Sequence, residues 1–174
     1  MAQNFKQLLN PVTTFIFDVD GVLTDGSVTL MPDGEQIRKM NIKDGYALQL
    51  AVKKGYNVAI ISGGKSEAVR LRLQGLGIKD IFLGAYSKLE VYNDYLAANH
   101  LSHEQVLYMG DDVPDYEVMS KVGVAVCPSN SAAEIVSLCK YISHQKGGEG
   151  CARDVIEQVM RVHGKWFDRE GFVW

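Results

Sequence analysis

An open α/β sheet, its strands mainly parallel and doubly wound with helices on both faces, is the fold this sequence predicts. Two observations carry the prediction. Short, continuous apolar runs recur along the chain, too short for helices and too uniformly apolar for strands with one wet face. Between them lie segments with apolar residues every three to four positions and with helix start and stop signals at their ends.

The first run, Thr14 to Phe17, leads directly into Asp18-Val19-Asp20-Gly21. Residues two apart on a strand point the same way, so Asp18 and Asp20 should project together from a buried strand end. Two carboxylates that close repel unless a cation or a proton stands between them. That arrangement suits Mg²⁺-assisted phosphoryl transfer, one carboxylate attacking phosphorus and the other moving a proton. Next, Val28 to Ile42 reads as a β-hairpin around Pro32-Asp33-Gly34, a flap over about residues 27–42 beside the strand end. Asp44 is placed to cap a helix that stops near Gly55.

Val58 to Ile61 forms the next strand and runs into Ser62-Gly63-Gly64, a hydroxyl and flexible N–H groups suited to a phosphate oxygen. Val69, Leu73 and Leu76 share one helical face. Ile81 to Leu83 is a strand, and Ser87 with Glu90 forms a capping box that puts Lys88 in a first helical turn, a point charge for phosphate. Val106 to Met109 leads into Gly110-Asp111-Asp112-Val113-Pro114-Asp115, more carboxylate than a turn needs and a hard-oxygen set suited to Mg²⁺. Val124 to Val126 and Tyr141-Ile142 complete the strands, with Ser131 and Glu134 as a second capping box between them. Ala152, Val155, Ile156, Val159, Met160 and His163 form a last helical stripe ended by Gly164. The tail, about residues 165–174, carries aromatics with no obvious internal partner, which implies docking onto something.

Composition bounds the rest. At 174 residues, 47% hydrophobic and 22% charged, the chain is expected to form one domain over residues 1–174. A net charge of -3 without a basic run argues against nucleic acid. The 3 cysteines, Cys127, Cys139 and Cys151, have no metal-ligand spacing and read as reduced thiols. The opening residues lack the apolar core of a signal peptide, and no stretch has membrane-spanning length, so a cytoplasmic protein without a membrane partner is expected.

The order Asp-x-Asp-Gly, Ser, Lys, Gly-Asp-Asp-x-x-Asp, each at the end of a strand or the start of a helix, resembles the haloacid dehalogenase superfamily of phosphotransferases. The resemblance implies that Asp18 is a nucleophile forming an aspartyl-phosphate and Asp20 the general acid/base. It implies that Ser62 and Lys88 hold the phosphoryl group. Mg²⁺ would lie on Asp18, the main-chain carbonyl of Asp20 and Asp111, with Asp112 or Asp115 close behind. Only 41 residues separate Asp20 from Ser62, room for a hairpin, a helix and a strand but for no cap domain.

A capless member with such a hairpin resembles the phosphatases of 3-deoxy-D-manno-octulosonate 8-phosphate (Kdo 8-phosphate), with relatives acting on nine-carbon keto-deoxy sugar acid phosphates. Asn41-Ile-Lys-Asp-Gly-Tyr46, Ile61-Ser-Gly-Gly-Lys-Ser66 and Gly147-Gly-Glu-Gly-Cys-Ala-Arg-Asp154 carry the closer likeness. Where the family often has Arg, this chain has Gly64. The likeness implies a phosphorylated sugar acid touching Asp20, Lys88, Asn41, Lys43, Asp44, Gly45, Gly63, Gly64, Lys65 and Arg72, with Lys43, Lys65 and Arg72 as candidates for its carboxylate. It implies lipopolysaccharide synthesis and a homotetramer in which the hairpin forms the interface and the tail reaches a neighbour's site. Two other classes share the chemistry or the fold: a receiver-type phospho-acceptor and a non-catalytic assembly module. The first normally carries its Asp after a middle strand; the second would be expected to have lost its charged groups.

Overall fold

Six parallel strands form the central sheet of the computed structural model, which describes residues 4–173. They are β1 (Thr14–Phe17), β4 (Asn57–Ser62), β5 (Asp80–Leu83), β6 (Val106–Met109), β7 (Val124–Cys127) and β8 (Tyr141–Ile142), in the order β5-β4-β1-β6-β7-β8. The α/β, doubly wound prediction holds, strand by strand. Phe15 and Phe17 face one side with Val58, Ile60, Leu107 and Met109, while Ile16, Ala59, Ile61 and Tyr108 face the other. This is the two-residue alternation of a sheet covered on both faces. Helices α2 (Ile42–Lys53), α3 (Glu67–Gly75) and α7 (Cys151–Val162) cover the first face, with the short α1 (Phe5–Leu8) packed at its margin. Helices α4 (Lys88–Asn99), α5 (Tyr116–Met119) and α6 (Ala133–Leu138) cover the second.

From β1 the chain winds outward through β4 and β5, then crosses back to β6 and winds the other way. The strand order reverses between β1 and β6, and a crevice opens there at their carboxyl ends, where open α/β sheets bind ligands.

Three local expectations are corrected. The helix expected from Asp44 begins earlier, with Asn41 as N-cap, its Oδ1 accepting from the N–H groups of Lys43 (2.8 Å) and Asp44 (3.4 Å). Asp44 lies inside the first turn and turns inward to accept from Arg153 N–H at 2.7 Å. Ser131 is not a cap: its hydroxyl donates to the Pro128 carbonyl, and α6 starts after Ala132. The hairpin is shorter than Val28 to Ile42, pairing only β2 (Thr29–Leu30) with β3 (Gln36–Ile37). A Thr24–Met40 bridge closes its foot, and Ile42 already belongs to α2. Gly34, at φ +88°, makes the hairpin turn that a side chain would resist.

The tail also differs from expectation. Trp166 is buried in the main core, edge-on to Tyr46, and the Arg153 guanidinium lies 5.2 Å from the Trp166 ring centroid. Lys54 pairs with Asp168 and Glu170, and the Tyr46 hydroxyl donates to the Gly171 carbonyl. The segment therefore docks largely on its own chain through short-range aromatic and ionic contacts that its composition alone does not specify. Phe167 and Phe172 stay exposed, packed on each other. Trp174 and the opening Met1-Ala2-Gln3 lie outside the described residues. Cys127, Cys139 and Cys151 are free thiols, and no helix among the described residues is long and apolar enough to cross a membrane.

Candidate active site

Asp18 continues β1 by one residue, its N–H donating to the Met109 carbonyl at 3.0 Å. That bond fixes the carboxylate at the head of the crevice. Its Oδ1 accepts from Val19 N–H at 2.6 Å and its Oδ2 lies 2.8 Å from Lys88 Nζ. Lys88 is the first residue of α4, where the helix dipole disfavours a cation. Asp18 and, at 2.7 Å, Asp115 Oδ1 hold it there. Asp115 is 1% exposed and also accepts from the Tyr108 hydroxyl (2.7 Å) and Asp111 N–H (3.3 Å).

Asp18, Asp111 and Asp115 each offer an oxygen within 4.8 Å of the others. Burial, then the charge of Asp115, outweighs Lys88 and pushes the Asp18 carboxyl up to about 6. Burial together with the charges of Asp18 and Asp115 pushes Asp111 up to about 7. Burial would lower the Lys88 ammonium, yet the same two carboxylates hold it above its usual range. Crowded hard oxygens whose ionised forms are disfavoured are what a small divalent cation relieves, and the donor set fits Mg²⁺.

The remaining walls come from β4 and the loop after β1. Ser62 is 1% exposed, and its Oγ accepts from Gly64 N–H at 3.3 Å. The cleft, about 310 Å³, brings together Asp18, Asp20, Ser62, Gly63, Gly64 and Lys88, with Asp111 and Asp115 at its far wall. Gly21 has φ +83°, and a Cβ there would run into the Asp111 carboxylate, so the turn after Asp20 needs a glycine twice over. Asp112 also lines the cleft, but on its exposed rim, where its Oδ1 accepts from Val113 N–H at 2.8 Å, outside the carboxylate cluster. Of the two acids left open by the sequence, Asp115 joins the cluster.

The sugar-side residues divide. Lys65 lines the space between the flap and α3, and Arg72 lines the groove beneath the flap with Met40. Asn41, Lys43, Asp44 and Gly45 do not line the cleft. Asn41 caps α2 and donates to the Gly148 carbonyl at 3.1 Å. Asp44 is bound to the start of α7, Gly45 lies under the Arg72 guanidinium, and Lys43 is exposed on α2. The N–H of Gly148, which donates to the Val22 carbonyl at 2.9 Å, ties the Gly147-Gly148 loop to the segment carrying Asp20, and Asn41 ties the same loop to α2.

Two residues of the site escape sequence reasoning. Arg38, from the foot of the flap, grips Asp20 with Nε to Oδ1 at 2.6 Å and Nη2 to Oδ2 at 3.0 Å. Tyr108 stands behind Asp115. A buried strand tyrosine needs a hydroxyl partner, and that was the available signal for Tyr108. Arg38 had none beyond lying in a hairpin next to an acid.

A doubly wound sheet with an acidic, lysine-bearing crevice at its switch point and only a hairpin inserted defines a capless haloacid dehalogenase-like hydrolase. Residues 75–153 match the haloacid dehalogenase-like hydrolase family. The 3-deoxy-D-manno-octulosonate 8-phosphate phosphatase of Salmonella typhi is 34% identical over 160 residues, 92% of this chain and 85% of that protein. The crystal structure of the Yersinia pestis phosphatase of the same name superposes with a TM-score of 0.91 at 32% identity, covering 95% of this chain and 89% of that one. That of Moraxella catarrhalis, in complex with magnesium ion, phosphate ion and Kdo, gives 0.88 at 28% identity and 91% coverage of both chains. The chain belongs to this family of hydrolases and is a phosphoric monoester hydrolase.

Proposed function

We propose that the chain is a Mg²⁺-dependent phosphatase that hydrolyses Kdo 8-phosphate to Kdo and phosphate, serving lipopolysaccharide synthesis in the cytoplasm. The observation that carries this reading is the buried Asp18–Lys88–Asp115 chain beside Asp111, at the switch point of a fold shared with phosphatases of that substrate. Asp18, the carbonyl of Asp20 and Asp111 would hold Mg²⁺, with Asp115 behind them. When bound, the ion neutralises phosphate charge that would otherwise repel the nucleophile.

The chain's own residues supply the rest. Lys88 and Ser62 bind phosphoryl oxygens, and the Asp18 carboxylate attacks phosphorus as the bond to the ester oxygen breaks. Asp20 gives that departing oxygen a proton, yielding the alcohol and an aspartyl-phosphate. Asp20 then takes a proton from the water that attacks phosphorus, which releases phosphate and restores Asp18. Lys65 and Arg72, with Arg38 between them, are the basic groups on the side where the sugar acid would extend.

A homotetramer is part of the proposal. Leu30, Ile37 and Met31 on the flap are exposed at 72%, 47% and 38%, an apolar surface that a second copy would cover. Phosphate release should be measured over Kdo 8-phosphate, a nine-carbon keto-deoxy sugar acid 9-phosphate and glucose 6-phosphate, each with Mg²⁺ or EDTA. The expected result is Mg²⁺-dependent release with the highest kcat/KM for Kdo 8-phosphate. A preference for the nine-carbon acid moves the substrate, and equal values for glucose 6-phosphate overturn the sugar-acid reading. Light scattering reads the assembly directly, and a one-subunit mass at micromolar concentration overturns the tetramer.

A further inference from the structure

Arg38 commits its two shortest hydrogen bonds to one carboxylate. Nε and Nη2 form a two-pronged grip on Asp20, while Nη1 donates to the Gln36 carbonyl at 3.2 Å and Nη2 also reaches Gln36 Oε1 at 3.4 Å. The Arg38 side chain is 9% exposed and that of Asp20 39%, so the guanidinium is packed away and the carboxylate left open to the cleft. The χ2 torsion of an aspartate is broad and is not fixed by its own rotamer preferences. A planar fork bound to both oxygens removes that freedom.

The orientation so fixed is specific. A Cβ at Gly64 would lie 3.3 Å from Asp20 Oδ2, 3.6 Å from Ser62 Oγ and 3.7 Å from Arg38 Nη2. Asp20, the phosphate-side hydroxyl and the guanidinium thus converge over one residue that has no side chain. Arg38 reaches this point from the flap, whose foot is tied to the loop after β1 by the Thr24–Met40 bridge.

We propose that Arg38 is the positioning residue for Asp20: by fixing the plane of that carboxylate, it makes the seating of the flap a condition for proton delivery to the leaving oxygen. The inference rests on the reading of Asp18 as nucleophile and Asp20 as acid/base. As the Asp18–phosphorus bond forms, the ester oxygen departs with its electron pair, and an alkoxide needs the Asp20 proton to leave as alcohol. A p-nitrophenolate leaves as a stable anion and needs it far less. Arg38 therefore matters to the first half-reaction in proportion to the basicity of the leaving group. A flap arginine that merely stabilised the fold would not discriminate in this way.

The experiment measures leaving-group release in a single turnover for Kdo 8-phosphate and p-nitrophenyl phosphate, with Mg²⁺, in the wild type, Arg38→Ala, Arg38→Lys, Asp20→Asn and the Asp20→Asn/Arg38→Ala double variant. Arg38→Ala should slow the alkyl ester about 10- to 100-fold, a part of the roughly 10²- to 10⁴-fold that a positioned general acid contributes, and the aryl ester less than about threefold. Arg38→Lys, and free guanidinium added to Arg38→Ala, should recover part of the loss. In the Asp20→Asn background the second substitution should add nothing, the mark of a residue acting through another. Equal losses on both esters, or additive losses in the double variant, overturn the proposal. Wild-type protein that releases neither leaving group overturns the phosphatase reading itself, a result distinct from any pattern among the variants.

Discussion

Metal-free protein should lose stability as pH rises from 5 to 8, and Mg²⁺ should abolish most of that loss. Asp18 is held at about 6 and Asp111 at about 7, against an ordinary 3.8. A carboxyl whose folded pKa is raised keeps its proton in the native state where the unfolded chain has already released it. Between about pH 4 and those raised values the native state therefore binds more protons, and stability falls with rising pH. At about 1.36 kcal/mol per pKa unit, Asp18 alone costs roughly 3 kcal/mol by pH 8. Asp111 is more open, and water screening reduces its part to roughly 1–2 kcal/mol. Part of this is already lost between pH 4 and 5; the roughly 2 kcal/mol lost from pH 5 to 8 lowers Tm by roughly 5 °C for a chain of this size.

A divalent cation among these oxygens favours their ionised forms and cancels the penalty, so the Tm increment from Mg²⁺ should be much larger at pH 8 than at pH 5.5. Asp44, pushed to about 6 mainly by burial, titrates in the same direction but lies away from the cluster. Its contribution persists with and without Mg²⁺, and the difference between the two curves isolates the site. Thermal unfolding in EDTA and in millimolar Mg²⁺, at half-unit pH steps, makes the measurement. An increment from Mg²⁺ that is the same at pH 5.5 and pH 8, or a metal-free Tm that is flat over this range, would refute the electrostatic account.

Other expectations are simpler to check. Asp18→Asn should abolish phosphate release, because an amide cannot form the acyl phosphate, while raising the metal-free Tm at pH 8 by removing one of the repelling carboxylates; substantial turnover by a preparation free of deamidated protein would exclude the covalent route. Gly147→Ala places a Cβ against the Gly21 and Thr24 carbonyls, backbone that cannot swing aside, and should cost roughly 2–3 kcal/mol and lower kcat together with Tm. Deleting everything after Gly164 removes the buried Trp166 and should lower Tm by several degrees, roughly 2–3 kcal/mol of lost burial, whereas cutting after Phe167 should spare most of it; identical melting of the two truncations would show that Trp166 is not part of the core.

What the sequence made legible is what neighbouring residues decide among themselves. The continuous apolar run Thr14 to Phe17 and its direct passage into Asp18 and Asp20 fix a strand end with two carboxylates on one side, and β1 bears this out. Lys88 could be placed because Ser87 announces a helix start, and the Ser87 hydroxyl does accept from Glu90 N–H at 3.3 Å. The failures share a physical cause. Asp44 looked like a cap because aspartate usually caps its own helix, but Asn41 stood three residues earlier and Asp44 serves a different helix, 109 residues further along. Arg38 depends on how far a hairpin curls back over a crevice, and Trp166 on which aromatic faces α2 and α7 leave open. Neither is encoded within a window of a dozen residues.

The charges of the site also dictate an order of events. Asp18, Asp111 and Asp115 bring three carboxylates against one ammonium, Lys88, while Arg38 sits apart on Asp20. Fully ionised, the cluster carries a net charge of about -2, and a phosphate monoester dianion approaching it meets repulsion across a buried, weakly screened distance. A divalent cation brings that sum to zero, and only then do Lys88, Ser62 and the Gly63 and Gly64 N–H groups present a net attraction to phosphate oxygens. Metal and phosphate affinities must therefore be coupled, each strengthening the other by the same factor. The raised Asp18 and Asp111 values express burial first and this repulsion second, before either ligand arrives. The strain that makes the metal-free site costly above neutral pH is the source of its affinity for the cation, and through the cation, for the substrate.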